Sequence, residues 1–284
     1  MLGAFALIFQ RLNAANQRLQ STFPDGTDLT NPLVQGAAQL LFQMLVFVPV
    51  YVYVWGWLTL FCRRSFRTVG FESGRAVSRA LRASLVAVLM VTAMTLALSM
   101  IPGATLAPGQ LQTMGPIALG GGLIGLPAFI VQASAEEVLF RGWLMGAIGA
   151  RYRPWIAVLA STLLFSLAHT LGPDVTILAL LNLVLFGLFA AFYALAEGGL
   201  WGCCAWHAVW NWLEFDVFGF SWGGGRSLGL LTYVHTAGPD IVTGGAFGPD
   251  GGLLATAVLI IGIASIAIIG VTTQRDEARV ALMS

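Results

Sequence analysis

Apolar residues in this chain run in blocks and do not alternate. Segments 33–61, 83–102, 117–150, 155–171, 176–196, 199–218 and 252–272 are nearly unbroken in Leu, Val, Ala, Ile, Phe and Gly. Several reach the roughly 20 apolar residues a helix needs to cross a hydrocarbon core of about 30 Å. A transmembrane barrel would show shorter, alternating segments instead. Short polar stretches punctuate the blocks. "CRRSFRTVGFESGRAVSRALR" carries Arg63, Arg64, Arg67, Arg75, Arg79 and Arg82, which marks it as cytoplasmic under the positive-inside rule. "PGATLAPGQLQTMGP" reads as an uncharged loop, and "RYRP", "GPD" and "EGG" stop successive spans. The pattern predicts an all-α polytopic transmembrane helical bundle. It has seven spans or eight, depending on whether 117–150 is one tilted helix or a broken one. Residues 1–32 read as an interfacial N-terminal segment, because the stretch lacks the basic start and cleavage site of a signal peptide. Residues 33–284 read as a single transmembrane domain, with no internal repeat.

Composition sharpens the class. The chain is 57% hydrophobic and 10% charged, whereas a soluble domain carries about a quarter charged residues. Its mean hydropathy is +0.82. A net charge of +1 gives no electrostatic footing for nucleic acid, so the expected partners are the lipid bilayer and membrane-bound proteins or peptides. All 14 cations are Arg; that Lys-free, Gly- and Ala-rich usage points to a GC-rich bacterium and its cytoplasmic membrane. Cys62, Cys203 and Cys204 form no CxxC pair. Cys203 and Cys204 read as small helix-packing residues.

Against that background the polar residues inside spans stand out, since each costs several kcal/mol at membrane depth. They are Glu136, Glu137, Arg141, His169, His207, Asn182 and Asn211. Glu137 and Arg141 are spaced i, i+4, which suits a helical ion pair. Glu136 points about 100° away from Glu137, so it does not share that arginine equally and is free to act as a base or acid. His207 and Asn211 are again i, i+4 on one face. Each of these also has a plain structural role open to it: His169 as a core histidine on a backbone carbonyl, His207, Asn211 and Asn182 as interhelical glue. Counting from the turn at "RYRP", Glu136 and His169 fall at one depth, roughly 24 Å away. Asn182, His207 and Asn211 return to the same layer from their own turns. That layer lies nearer the face opposite the arginines.

Two chemistries fit this set. Glu136 can take a proton from a water held by His169 while His207 and Asn211 donate to the oxyanion of an attacked carbonyl. Alternatively Glu136, His169 and His207 can ligate a zinc ion that activates the water, although no HExxH is present. No cofactor is required by the first. No Ser or Cys stands in a nucleophile motif such as GxSxG. Outside catalysis, the same residues suit a non-catalytic partner in a membrane complex, such as an immunity factor or scaffold. Histidines binding a tetrapyrrole would colour the protein. A transporter would more naturally show repeats and paired broken helices.

"EEVLFRG", "FSLAH" and "HAVWN" together resemble the EExxxR, FxxxH and HxxxN motifs of the CPBP (CAAX protease and bacteriocin-processing, or Abi) family of intramembrane glutamic endopeptidases. The resemblance covers about 117–272, with a catalytic core at 117–218. It implies that Glu136 is the base, His169 its partner, His207 and Asn211 the oxyanion site, and Glu137 and Arg141 supports. It implies peptide-bond hydrolysis of a membrane-associated substrate. A site opening to the cytosol, as in CAAX-type relatives, conflicts with the depth just derived unless the span count shifts by one.

Overall fold

A computed structural model describes residues 31–71, 74–170, 174–220, 229–235 and 238–283. The first thirty residues of the expected interfacial segment lie outside them. Helix α1, Pro32–Gly56, opens on Asn31, whose side chain accepts from the Leu33 amide, and on Pro32, whose missing N–H costs nothing at that position. It continues as a wider turn, Trp57–Phe61. Helix α2, Ala76–Ser99, returns. Then come β1, Ala104–Pro108, the short α3, Gln110–Met114, and α4, Pro116–Glu137, which runs through a π-helical stretch, Val138–Leu144, into α5, Met145–Gly149. Helices α6, Pro154–His169, and α7, Ile177–Glu197, make a hairpin. Helix α8, Trp201–Trp212, extends into a π-helical turn, Leu213–Val217. Strand β2, Leu231–His235, the short α9, Asp240–Thr243, and two 3-10 turns lead to α10, Leu253–Met283.

Among the described residues four helical segments are long and apolar enough to cross a membrane: Pro32–Phe61, Ala76–Ser99, Pro116–Gly149 and Ile177–Glu197. Pro154–His169 and Leu253–Ile268 are shorter apolar helices. The segment 117–150 is therefore one helical run with a π-helical middle. The chain is an integral membrane protein, mostly helical, with one departure from the all-α expectation. The stretch read as an uncharged loop pairs as an antiparallel ribbon with β2, Ala104 opposite His235 and Pro108 opposite Leu231. "ATLAP" was too short and too Pro-bounded to announce a strand, and its partner lies far along the chain.

Packing follows from small residues. Helices α1 and α4 run parallel and close: a Cβ on Gly36 would stand 2.5 Å from the Gly121 carbonyl oxygen. Further along the same seam, Gln43 meets Gln132, and Val46, Phe47 and Val50 pack on Ala135. A second, aromatic core joins α6, α7 and α8 through Phe165, Phe186, Phe189, Trp206 and Trp210. Phe186 stands edge-on to both the His207 ring, 4.8 Å between centroids, and Trp210. The end of α4 lies between these two cores. Buried apolar area on both sides thus fixes where its carboxylates point.

Candidate active site

Glu136 and Glu137 are the last two residues of α4, and both are buried. The helix widens to π geometry immediately after them, a distortion common at functional sites. His169 ends α6 and is one-fifth exposed, while His207 sits mid-way along α8 and is buried. The fold brings the three together. Glu136 Oε2 faces His169 Nε2 at 3.7 Å and His207 Nε2 at 3.9 Å, and this oxygen is buried with no hydrogen-bond partner. The separations exceed a direct hydrogen bond and suit three groups around one small molecule. The other oxygen, Oε1, lies 3.5 Å from Gln132 Nε2, which belongs to a side chain that itself accepts from Gln43 at 2.9 Å.

The neighbours fix the proton on each ring. His169 Nδ1 lies 2.9 Å from the Phe165 carbonyl oxygen. A carbonyl only accepts, so Nδ1 carries the hydrogen and Nε2 of the neutral ring turns a lone pair toward Glu136. The core-histidine role expected for His169 is filled by Nδ1, which leaves Nε2 facing Glu136. His207 Nδ1 donates to Glu137 Oε1 at 2.8 Å. The same oxygen accepts from Arg141 Nη1 at 2.9 Å, and both partners of this ion pair are fully buried. Arg141 also donates to the Gly187 carbonyl at 3.1 Å and lies 4.3 Å from the Phe165 ring centre. Glu137 Oε2 accepts from the Cys203 thiol at 3.1 Å. The expected i, i+4 pair is present, and it is the hub of a network that also orients His207. Cys203, read as a packing residue, is a donor in it.

Asn211 lies one turn beyond His207 on α8, half-buried, and makes no hydrogen bond to Glu136, His169 or His207. Asn182 does not join the cluster. Its amide donates to the carbonyls of Asp250 at 2.7 Å and Gly252 at 2.9 Å, and its oxygen accepts from Thr256 at 2.6 Å. It clamps the turn before α10 to α7, the glue role in full. Asn182→Leu should cost about 1–3 kcal/mol, because it strands the Asp250 carbonyl, whereas that of Gly252 keeps the Thr256 amide. Limited proteolysis of the 245–252 turn, together with the unfolding midpoint, checks this; an unchanged midpoint and an uncut turn would refute it.

The depth inferred from the "RYRP" turn needs correction. His169 does end α6, but Glu136 lies about 30 Å along α4 from Pro116 and about 20 Å from Gly149. Beside it, Gln43 and Val46 are near the middle of Pro32–Phe61. The cluster is terminal on the short α6 but near the middle of α1 and of the continuous helical run Pro116–Gly149. Counting along one short hairpin missed that its neighbours extend well past it.

Further carboxylates went unnoticed. Glu214 is buried and faces Asp250 beside Trp210. Asp216 faces Gln39. Glu214 and Asp216 fall inside the span read at 199–218, so the rule that any ionisable residue within a span is a candidate would have found them. Among the described residues no group of three or more His, Cys, Asp or Glu side chains has a metal-binding arrangement.

Comparison with known proteins agrees with the motifs. The family model described as type II CAAX prenyl endopeptidase Rce1-like matches residues 118–213. The match falls on the segment that carries the three motifs, and its family is the one they resemble. No curated protein and no solved structure gives a match.

Proposed function

We propose that this Rce1-like membrane protein is an intramembrane endopeptidase that hydrolyses a peptide bond of a membrane-associated protein or peptide with a water activated by Glu136. The observation that carries the reading is one unpartnered buried carboxylate oxygen, Glu136 Oε2, facing two imidazole Nε2 atoms within 4 Å. A water there donates one hydrogen to Glu136 and one to the His169 lone pair, leaving its own lone pair for a carbonyl carbon. As the new C–O bond forms, Glu136 takes the proton and the carbonyl oxygen becomes an oxyanion. His207, held by Glu137 and protonated at Nε2, donates to that oxyanion with Asn211 from the same helix face. Glu136 then returns its proton to the amide nitrogen and the C–N bond breaks, giving a carboxylic acid and an amine, and the acid's remaining proton passes to the amine. In this reading 33–284 is one transmembrane domain, and its seven helical segments each cross a bacterial cytoplasmic membrane. Glu137 and Arg141 act through His207 as positioning residues.

The test compares the membrane proteomes of cells carrying wild type or Glu136→Gln at equal levels, mapping peptide termini. Termini that vanish in the variant support the protease and name its substrates. A terminus map that does not change in any growth condition would move the non-catalytic partner reading to the front. Metal chelators should leave cleavage by purified protein unaltered, and inhibition reversed by added zinc would overturn the metal-free mechanism.

A further inference from the structure

A hydrolase consumes one water per turnover, yet Glu136 lies near the middle of the helical run Pro116–Gly149, beside the middle of α1 and between two apolar cores. Helix α1 carries Gln35, Gln39 and Gln43 at spacings of four, so they share one face and rise about 6 Å per step. Each meets a polar partner from another element: α3, the end of α8 and α4 in turn. At the outer end, Gln110 Nε2 donates to Gln35 Oε1 at 2.8 Å, where α3 sits beside the β-ribbon. One turn further in, Gln39 faces the carboxyl group of Asp216, which reaches over from the π-helical end of α8. Both converge above Gly125: a Cβ there would collide with Asp216 Oδ2 and stand 3.5 Å from Gln39 Oε1. One turn further, Gln43 donates to Gln132, whose amide reaches Glu136.

Exposure falls along the row. Gln35 and Gln39 are half-buried, and Gln43 is buried. Three acceptor atoms on it are buried with no hydrogen-bond partner: Asp216 Oδ2, Gln43 Oε1 and Glu136 Oε2. Buried acceptors of this kind are satisfied by ordered water. Simple helix gluing accounts for the paired atoms but leaves these three stranded. At Gly125 the missing side chain is what admits Asp216 Oδ2 to the row.

We propose that the Gln35–Gln39–Asp216–Gln43–Gln132 row is the route by which water reaches Glu136 from the β-ribbon end of the bundle. The proposal rests on the hydrolase reading for its purpose, but its geometry is tested without any substrate. Brief radiolysis of the full chain in lipid nanodiscs generates hydroxyl radicals from water in place, and a nearby thiol records them as added oxygen. Gln39→Cys and Gln43→Cys should both be oxidised, whereas Val46→Cys, buried on the same helix among apolar neighbours, should not. Adding Gln39→Leu to the Gln43→Cys variant should abolish oxidation at position 43 by breaking the row upstream. If positions 39 and 43 are no more oxidised than 46, or if Gln39→Leu leaves position 43 unaffected, the route is wrong. Failure here with intact cleavage would remove the route and spare the hydrolase. Oxidation as expected with no cleavage of any protein would do the reverse.

Discussion

Glu136→Gln should lower cleavage by about 10²–10⁴-fold, the usual worth of a general base, with the fold unaltered. The amide is nearly isosteric with the carboxylate and still accepts at Oε1 from Gln132, the one hydrogen bond Glu136 makes, and a long one at 3.5 Å. Its nitrogen, placed toward His169 and His207, cannot take a proton from water. Because Oε2 has no partner to lose, the unfolding midpoint in detergent should stay where it is. The measurement is single-turnover cleavage of a substrate named by the terminus map, beside a thermal melt of the same preparation. A variant that cleaves at the wild-type rate would show that another group activates the water. A variant that fails to fold would mean Glu136 carries a structural bond not seen at 3.5 Å.

Arg141→Ala should instead destabilise the bundle, by about 3–5 kcal/mol, because it removes one partner from a fully buried ion pair. The loss has a second part, since Arg141 also satisfies the Gly187 carbonyl and covers the Phe165 ring. Glu137 then keeps only His207 and Cys203 as donors. The informative comparison is Glu137→Gln with Arg141→Leu. Replacing both charges should recover much of the stability, as neutral replacements of buried ion pairs often do. Activity should remain low, because His207 no longer has a carboxylate to orient it and support its charge. Midpoints and cleavage rates for the single and double variants decide it. Equal recovery of both would reduce Glu137 to packing and remove it from the oxyanion assignment.

Much of this molecule can be read from one dimension. Continuous apolar blocks place the helices, closely for α7, expected at 176–196 and found at Ile177–Glu197, and less so for α2, expected at 83–102 and found at Ala76–Ser99. Bilayer thickness and backbone hydrogen bonding leave a chain of this composition few other choices. The rarity of charge at depth singles out Glu136, Glu137, Arg141, His169 and His207, and the i, i+4 rule finds the Glu137–Arg141 pair within a single helix. Local spacing cannot say which helix faces which. The bond from His207 to Glu137, the thiol of Cys203 on the same carboxylate, the pairing of β1 with β2 and the clamp of Asn182 on Asp250 and Gly252 all join distant segments. Helix approach is equally non-local, as where Gly36 lets α1 close on Gly121 of α4.

The depth of the site is likewise a tertiary fact, because it depends on the relative lengths and offsets of helices that are not neighbours in sequence. The glutamine row shows the division most plainly. Gln35, Gln39 and Gln43 are polar singletons in an apolar span, unremarkable until the packing of α3, the end of α8 and α4 around α1 sets them against Gln110, Asp216 and Gln132. Sequence by itself determined which side chains could not be left in lipid. Only the packing decided which of them meet, since the partner that offsets the burial of each polar group comes from another helix.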